Sequence, residues 1–188
     1  EQGKLKAFML LMDQESTKYT LANTLENEII ASCQIEGEIL NRQSVRSSIK
    51  QTLGLESHEY YNAIRKEDNY VEILIDANTH YNEALNLEKI FGWQHAMFEK
   101  GYSGFSKIKV AQFRGDGSMQ VVSGDYGKEN IHYEAPPFDT LEQEMNSFIQ
   151  WFNETPSSLE KAAITHLWFV IIHPFDDGNG RITRALTD

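Results

Sequence analysis

The run Leu167-Trp168-Phe169-Val170-Ile171-Ile172 constrains this chain more than any other feature, because a helix that ends this way keeps almost no polar side for water. The spacing predicts a helix over 156–172 that runs through the middle of the fold. Thr155 and Pro156 supply the expected N-cap and first-turn residue. A central helix needs partners, and the chain offers several. Residues 18–36 place Leu21, Leu25, Ile29 and Ser32 about one turn apart, with Gly37 as the expected C-cap. Residues 44–54 carry Val45, Ile49 and Leu53 at four-residue spacing and close on Gly54. Residues 69–87 and 87–100 read as two more helices meeting near Asn86-Leu87, the second stopped by Gly101. Residues 139–153 set Leu141, Met145, Phe148, Ile149 and Phe152 on one side of another. Between 101 and 137 glycines are frequent, and two β-rich runs around a turn predict a hairpin over 119–133, ended by Pro136-Pro137. The expected fold class is mainly α with one small β-hairpin. Trp93, Trp151 and Trp168 read as core residues, and the histidines outside the terminal segment as surface or packing residues.

Composition narrows the function classes. With 188 residues the chain can bury one substantial core, or two small lobes. A net charge of −11 argues against a broad nucleic-acid or acidic-membrane footprint, which needs clustered Lys and Arg. No apolar stretch reaches the length of a spanning helix, and the N-terminus carries no secretory pattern. The lone Cys33 cannot build a disulfide framework, so a cytoplasmic setting is the expected one.

The apolar helix runs straight into His173-Pro174-Phe175-Asp176-Asp177-Gly178-Asn179-Gly180-Arg181-Ile182-Thr183-Arg184. His173 falls at the helix C-terminus, where it can cap the last carbonyls or, as a neutral imidazole, accept a proton from a hydroxyl. Gly178-Asn179-Gly180 lets successive backbone N–H groups converge on an anion. Residues 181–184 look like the first turn of a helix that adds its positive dipole end. Arg181 and Arg184, three apart, add two guanidiniums suited to a polyphosphate. Asp177 beside that nest calls for a divalent cation between carboxylate and phosphate. Phe175 is the expected apolar anchor of the loop.

Residues 173–184 resemble the signature of Fic domains, His-x-Phe-x-(Asp/Glu)-Gly-Asn-Gly-Arg-x-x-Arg, at every defined position. The resemblance implies a Fic-type helical bundle over 86–188, with the 119–133 hairpin as the flap along which a target protein docks. It implies transfer of AMP from ATP to a Ser, Thr or Tyr hydroxyl of that target, and self-modification by the same route. His173 would be the general base, Asp177 the Mg²⁺ ligand, and Gly178, Asn179 and Gly180 the phosphate cradle. Arg181 would face the β-phosphate and Arg184 the γ-phosphate. Fic domains normally continue for further helices past the signature, so the core is expected to be cut short at Asp188.

Residues 1–85 form the other expected region, helical and packed on the core. Ser32 and Glu36, one turn apart just before Gly37, match the (Ser/Thr)-x-x-x-Glu-(Gly/Asn) inhibitory motif of many Fic proteins, on a helix of about 18–37. Read without the resemblance, Glu36 is an ordinary exposed glutamate, as Glu26, Glu28 and Glu38 are. The resemblance implies that Glu36 pairs with Arg184 and misplaces the ATP tail, and that the site can also remove AMP. A related phosphotransferase, a silent nucleotide-binding module and a homodimer stay open.

Overall fold

The computed structural model describes residues 13–55, 66–123 and 130–187. It is mainly α, as expected, with seven α-helices and two short antiparallel strand pairs among the described residues. The chain divides into two compact units, residues 1–76 and 77–188.

The first unit holds α1 (Gln14–Ile35), α2 (Arg42–Thr52) and most of α3 (Lys66–Thr79). Asp13 caps α1 by accepting from the Ser16 N–H at 2.7 Å, and Asn41 caps α2 by accepting from Gln43 and Ser44. Both helices end on glycine, as the spacing predicted. Gly37 sits at φ 75° while Glu38 N–H reaches Cys33 O (2.8 Å) and Gly37 N–H reaches Gln34 O (3.0 Å). Gly54, at φ 66°, repeats the arrangement after α2. Such paired bonds need a left-handed residue and satisfy carbonyls the helix leaves open. Leu25, Ile29, Val45, Ile49, Val71 and Leu74 form the core of this unit. Glu26 corrects the sequence reading, because it is buried at 2% exposure. It accepts from Arg42 Nη1 at 2.6 Å and Arg46 Nε at 2.6 Å, one turn apart on α2. The two guanidiniums supply the pairing that a buried carboxylate requires.

The second unit begins with the end of α3 and continues through α4 (Leu87–Met97), β1 (Tyr102–Ser103), β2 (Ser106–Lys107), β3 (Gln120–Ser123) and β4 (Asn130–Glu134). A short 3-10 turn (Phe138–Thr140) leads into α5 (Leu141–Glu154), α6 (Leu159–Ile172) and α7 (Asn179–Thr187). The expected hairpin is present as β3 and β4, which pair Gln120 with Glu134 and Ser123 with Asn130 around a register shift after Val121. Its tip, 124–129, lies outside the described residues. The β1–β2 pair was not foreseen; it turns through Gly104 at φ 55°.

Two boundaries and one burial pattern depart furthest from expectation. The helix expected over 69–87 stops at Thr79, because the Asn153 side chain of α5 takes both the N–H and the C=O of Leu85 and holds that residue outside any helix. The helix expected from 156 starts at Leu159 with Ser158 as its cap. Thr155 belongs to the end of α5 instead, its N–H bonded to Trp151 O at 3.0 Å. The third difference concerns burial. α6 packs against α5 and α7 and buries Thr165, Phe169 and Ile172, but Leu159 (71%), Leu167 (62%), Ile164 (47%) and Val170 (39%) are exposed. It is a one-sided helix whose hydrophobicity continues round to water.

An aromatic cluster carries the core to the terminal loop. Phe148 meets Trp151, Phe152, Trp168 and Phe169 at ring separations of 5.6–6.5 Å. Phe169 and Phe91 then meet Phe175 at 6.5 and 6.0 Å. Phe175 is fully buried and anchors its loop, as the sequence suggested.

Candidate active site

Residues 173–178 are a tight turn between two helices, and 179–184 open the second of them. His173 ends α6 in the left-handed region (φ 49°, ψ 59°), its N–H on Phe169 O. A side chain pays roughly 1–2 kcal/mol to sit there, so the neighbours must hold it. Its ring Nδ1 lies 3.4 Å from Val170 O. A carbonyl only accepts, so this contact places the ring proton on Nδ1 and leaves Nε2 as the proton acceptor. The two readings of His173, cap and base, are therefore compatible. Burial, opposed by the Val170 contact, and then the Arg114 charge, opposed by Asp177, hold the imidazole below its ordinary pKa and neutral at pH 7.

α7 starts at Asn179, two residues earlier than the sequence suggested, so the Gly-Asn-Gly stretch is itself the helix entrance. Gly178 lies just before it at φ 92°. Side chains rarely adopt that φ, and a Cβ there would also crowd Met97 Cε and Phe98 Cε2 at 3.0 Å, so the position favours glycine. The Asn179 side chain turns inward. Its Oδ1 accepts from Phe175 N–H (3.0 Å) and its Nδ2 donates to Phe175 O (2.8 Å), both bonds buried. Its amide is thus a staple across the turn, and what the residue offers an anion is its backbone at the helix start.

Asp177 accepts from Ser103 Oγ on β1 and from Gly178 N–H, and lies 3.6 Å from Arg181 Nη2. The Arg181 guanidinium is 5.1 Å above the Phe98 ring and its side chain is nearly buried. Arg184 follows on α7, half-buried. A single carboxylate, one-third exposed, suits Mg²⁺, which takes one or two carboxylates and completes its shell with phosphate oxygens and water. Among the described residues no group of three or more His, Cys, Asp or Glu could hold a metal unaided.

Sequence reasoning missed the supports of this turn. Ser103, Arg114, Lys109 and Gln94 all come from outside it. Lys109 N–H donates to Asp176 Oδ2 at 2.8 Å. Fully buried Gln94 donates to Lys109 O and accepts from Ala111 N–H, holding Ala111 at φ 54°. No spacing joins these positions to 173–184, so only the fold reveals them.

Ser32 and Glu36 belong to the first unit. Ser32 is buried and shares a 2.7 Å hydrogen bond with the Tyr70 hydroxyl of α3, which fixes the last turn of α1. Glu36 is the exposed C-cap residue of that helix.

The Fic/DOC family model matches residues 84–188, more than half of the chain. The chain belongs to the Fic/DOC family. Residues 1–55 match a second model, a domain of unknown function (DUF4172). Protein adenylyltransferase Fic of Nematostella vectensis is 46% identical over 55 residues, 27% of this chain and 13% of that protein. Protein adenylyltransferase fic-1 of Caenorhabditis elegans is 40% identical over 48 residues, 23% of this chain and 9% of that protein. Among solved structures, a Fic domain containing signaling protein from Bacteroides thetaiotaomicron superposes with a TM-score of 0.70 at 20% identity, covering 96% of this chain and 67% of that one. A Fic family protein from Desulfovibrio desulfuricans gives 0.65 at 21%, covering 98% and 53%. These two likenesses show the Fic fold. The matches span only part of each Fic relative's length. Adenylyltransferase-named relatives support a transferase, and no helix among the described residues is long and apolar enough to cross a membrane.

Proposed function

We propose that this protein is an autoinhibited adenylyltransferase that moves AMP from ATP onto a hydroxyl of a target protein. The observation that carries the reading is the turn itself. A neutral imidazole with Nε2 as acceptor ends one helix, and six residues later a helix N-terminus begins, with a carboxylate and a guanidinium 3.6 Å apart beside it. A binding module has no use for the base.

The target oxygen attacks the α-phosphorus, its proton passes to His173 Nε2, and the bond to pyrophosphate breaks. Gly178 shapes the turn while its N–H donates to Asp177, and the N–H groups of 179 and 180 with the two arginines stabilise charge on the phosphate oxygens and on the leaving group. Asp177 would hold Mg²⁺, which when bound would neutralise phosphate charge. The β3–β4 hairpin offers an edge strand for main-chain pairing with the target segment.

Inhibition rests on Glu36 competing with the γ-phosphate for Arg184. ATP then binds with its tail displaced and the in-line geometry is lost. Replacing Glu36 by Gly frees the guanidinium, so transfer of α-label to the protein or to candidate hydroxyl substrates should rise well above wild type. Arg184→Ala should lower transfer, and adding Glu36→Gly should not restore it fully. Unchanged transfer in folded Glu36→Gly protein contradicts the inhibitory role. ATP binding without any label transfer in that variant would favour a silent module.

A further inference from the structure

Arg114 is 2% exposed, in the loop between the two strand pairs, and every hydrogen bond it makes goes to a backbone carbonyl. Its N–H takes Pro174 O at 2.9 Å and its Nε takes His173 O at 2.8 Å, so one residue holds two successive carbonyls of the turn. Nη2 donates to Pro136 O, two residues after β4, and Nη1 donates to Gly117 O at 3.5 Å, three residues before β3. One planar group thereby joins the His173 peptide to both roots of the hairpin. The Asp176 carboxylate acts on it electrostatically and also accepts from Lys109 N–H in the same loop. A buried cation is kept only where its donors are satisfied, and a guanidinium's rigid fork fixes directions that a lysine cannot.

We propose that Arg114 is the positioning residue of the site: by gripping the His173 and Pro136 carbonyls together it keeps His173 in its left-handed conformation and sets the hairpin in register with it. This rests on the adenylyltransferase reading only for its catalytic consequence; the conformational part stands without it. His173 has no glycine-like freedom, and the bonds on its own carbonyl and the next one define the ψ it must adopt. Tyr133 Oη adds a tie from β4, donating to Ile171 O at 2.8 Å, so the hairpin is bonded to α6 directly at Ile171 and, through Arg114, at His173. Arg114 touches no reacting atom. It acts by holding the group that does.

The test compares wild type with Arg114→Met and Arg114→Lys by backbone NMR, ATP titration and α-label transfer, the last with and without Glu36→Gly. In Arg114→Met the Cα and Cβ shifts of His173 should leave their left-handed values and those of Pro136 should move, while the Phe148 cluster keeps its shifts. ATP affinity should stay within about threefold, whereas transfer should fall on the order of 100-fold, the loss expected for a misplaced base. Lysine keeps the charge but reaches one carbonyl, so it should recover part of the rate and part of the His173 shifts. Should Arg114→Met not fold, Arg114→Lys carries the same comparison. Wild-type His173 shifts and transfer in a folded Arg114→Met protein would overturn the proposal. Displaced His173 shifts beside a Glu36→Gly parent that transfers no label would support the positioning and contradict the adenylyltransferase reading.

Discussion

Asn179→Ala separates the staple role of that side chain from a place in the phosphate cradle. The substitution deletes the acceptor of Phe175 N–H and the donor to Phe175 O, in a spot where Asn179 is 3% exposed and Phe175 fully buried. Each buried polar group left without a partner costs about 1–3 kcal/mol. The two together give roughly 2–6 kcal/mol, with the Phe175 ring still seated against Phe91 and Phe169. For a unit of about 110 residues, about 4 °C per kcal/mol translates this into a fall in Tm of roughly 8–24 °C. Calorimetry on wild type and Asn179→Ala measures it. Asn179→Asp should be nearly as costly, because a carboxylate can accept from Phe175 N–H but faces Phe175 O without a proton to give. A Tm within about 2 °C of wild type, against the cost expected for two lost buried bonds, would refute the staple.

Three further perturbations bear on the chemistry and on the first unit. His173→Ala should abolish α-label transfer while ATP affinity, measured by titration, stays within a few-fold, since affinity comes from the helix entrance and arginines. The imidazole is held below its ordinary 6.5, so it is a competent base throughout the neutral range. The acid limb of kcat/KM should therefore turn below pH 6.5, and a midpoint at or above that value counts against His173 as the base. Asp177→Ala should remove the Mg²⁺ dependence together with most of the rate; activity that still titrates with Mg²⁺ as in wild type would put the metal elsewhere. Hydrogen bonding from Arg46 holds the Glu26 carboxyl below its ordinary 4.5. Its stabilisation is thus complete above pH 4.5 and disappears as pH falls through the lower folded value. Glu26→Ala should cost about 1–2 kcal/mol, because Arg42 and Arg46 are half-exposed and stay hydrated. It should also flatten the acid dependence of amide-exchange protection in α1 and α2.

The readable parts of the sequence were those fixed locally. Gly37 and Gly54 end helices because their left-handed conformation is a backbone demand that few other residues meet, and it shows in one letter. Phe175 was legible as an anchor because an aromatic beside four polar residues has little else to do. What failed was whatever depended on distant chain. Leu85 looked helical until Asn153 claimed its backbone. Glu26 looked like a surface acid until two arginines of α2 closed over it. The run 167–172 announced a helix but not which side of it would be covered. In the site, the chemistry-bearing letters stand together in 173–184, whereas the groups that hold them, Ser103 and Arg114, lie 74 and 59 residues from their partners and follow no spacing.

The central claim is that the α-phosphoryl group, with its nucleoside, moves to the protein hydroxyl. Incubating the Glu36→Gly protein with Mg²⁺ and ATP labelled at either the α- or the γ-phosphorus, beside the same protein carrying His173→Ala, tests it directly. The account predicts protein-bound α-label, no protein-bound γ-label, and loss of the α-label when His173 is removed. Protein-bound γ-label, or α-label that survives without His173, would contradict it.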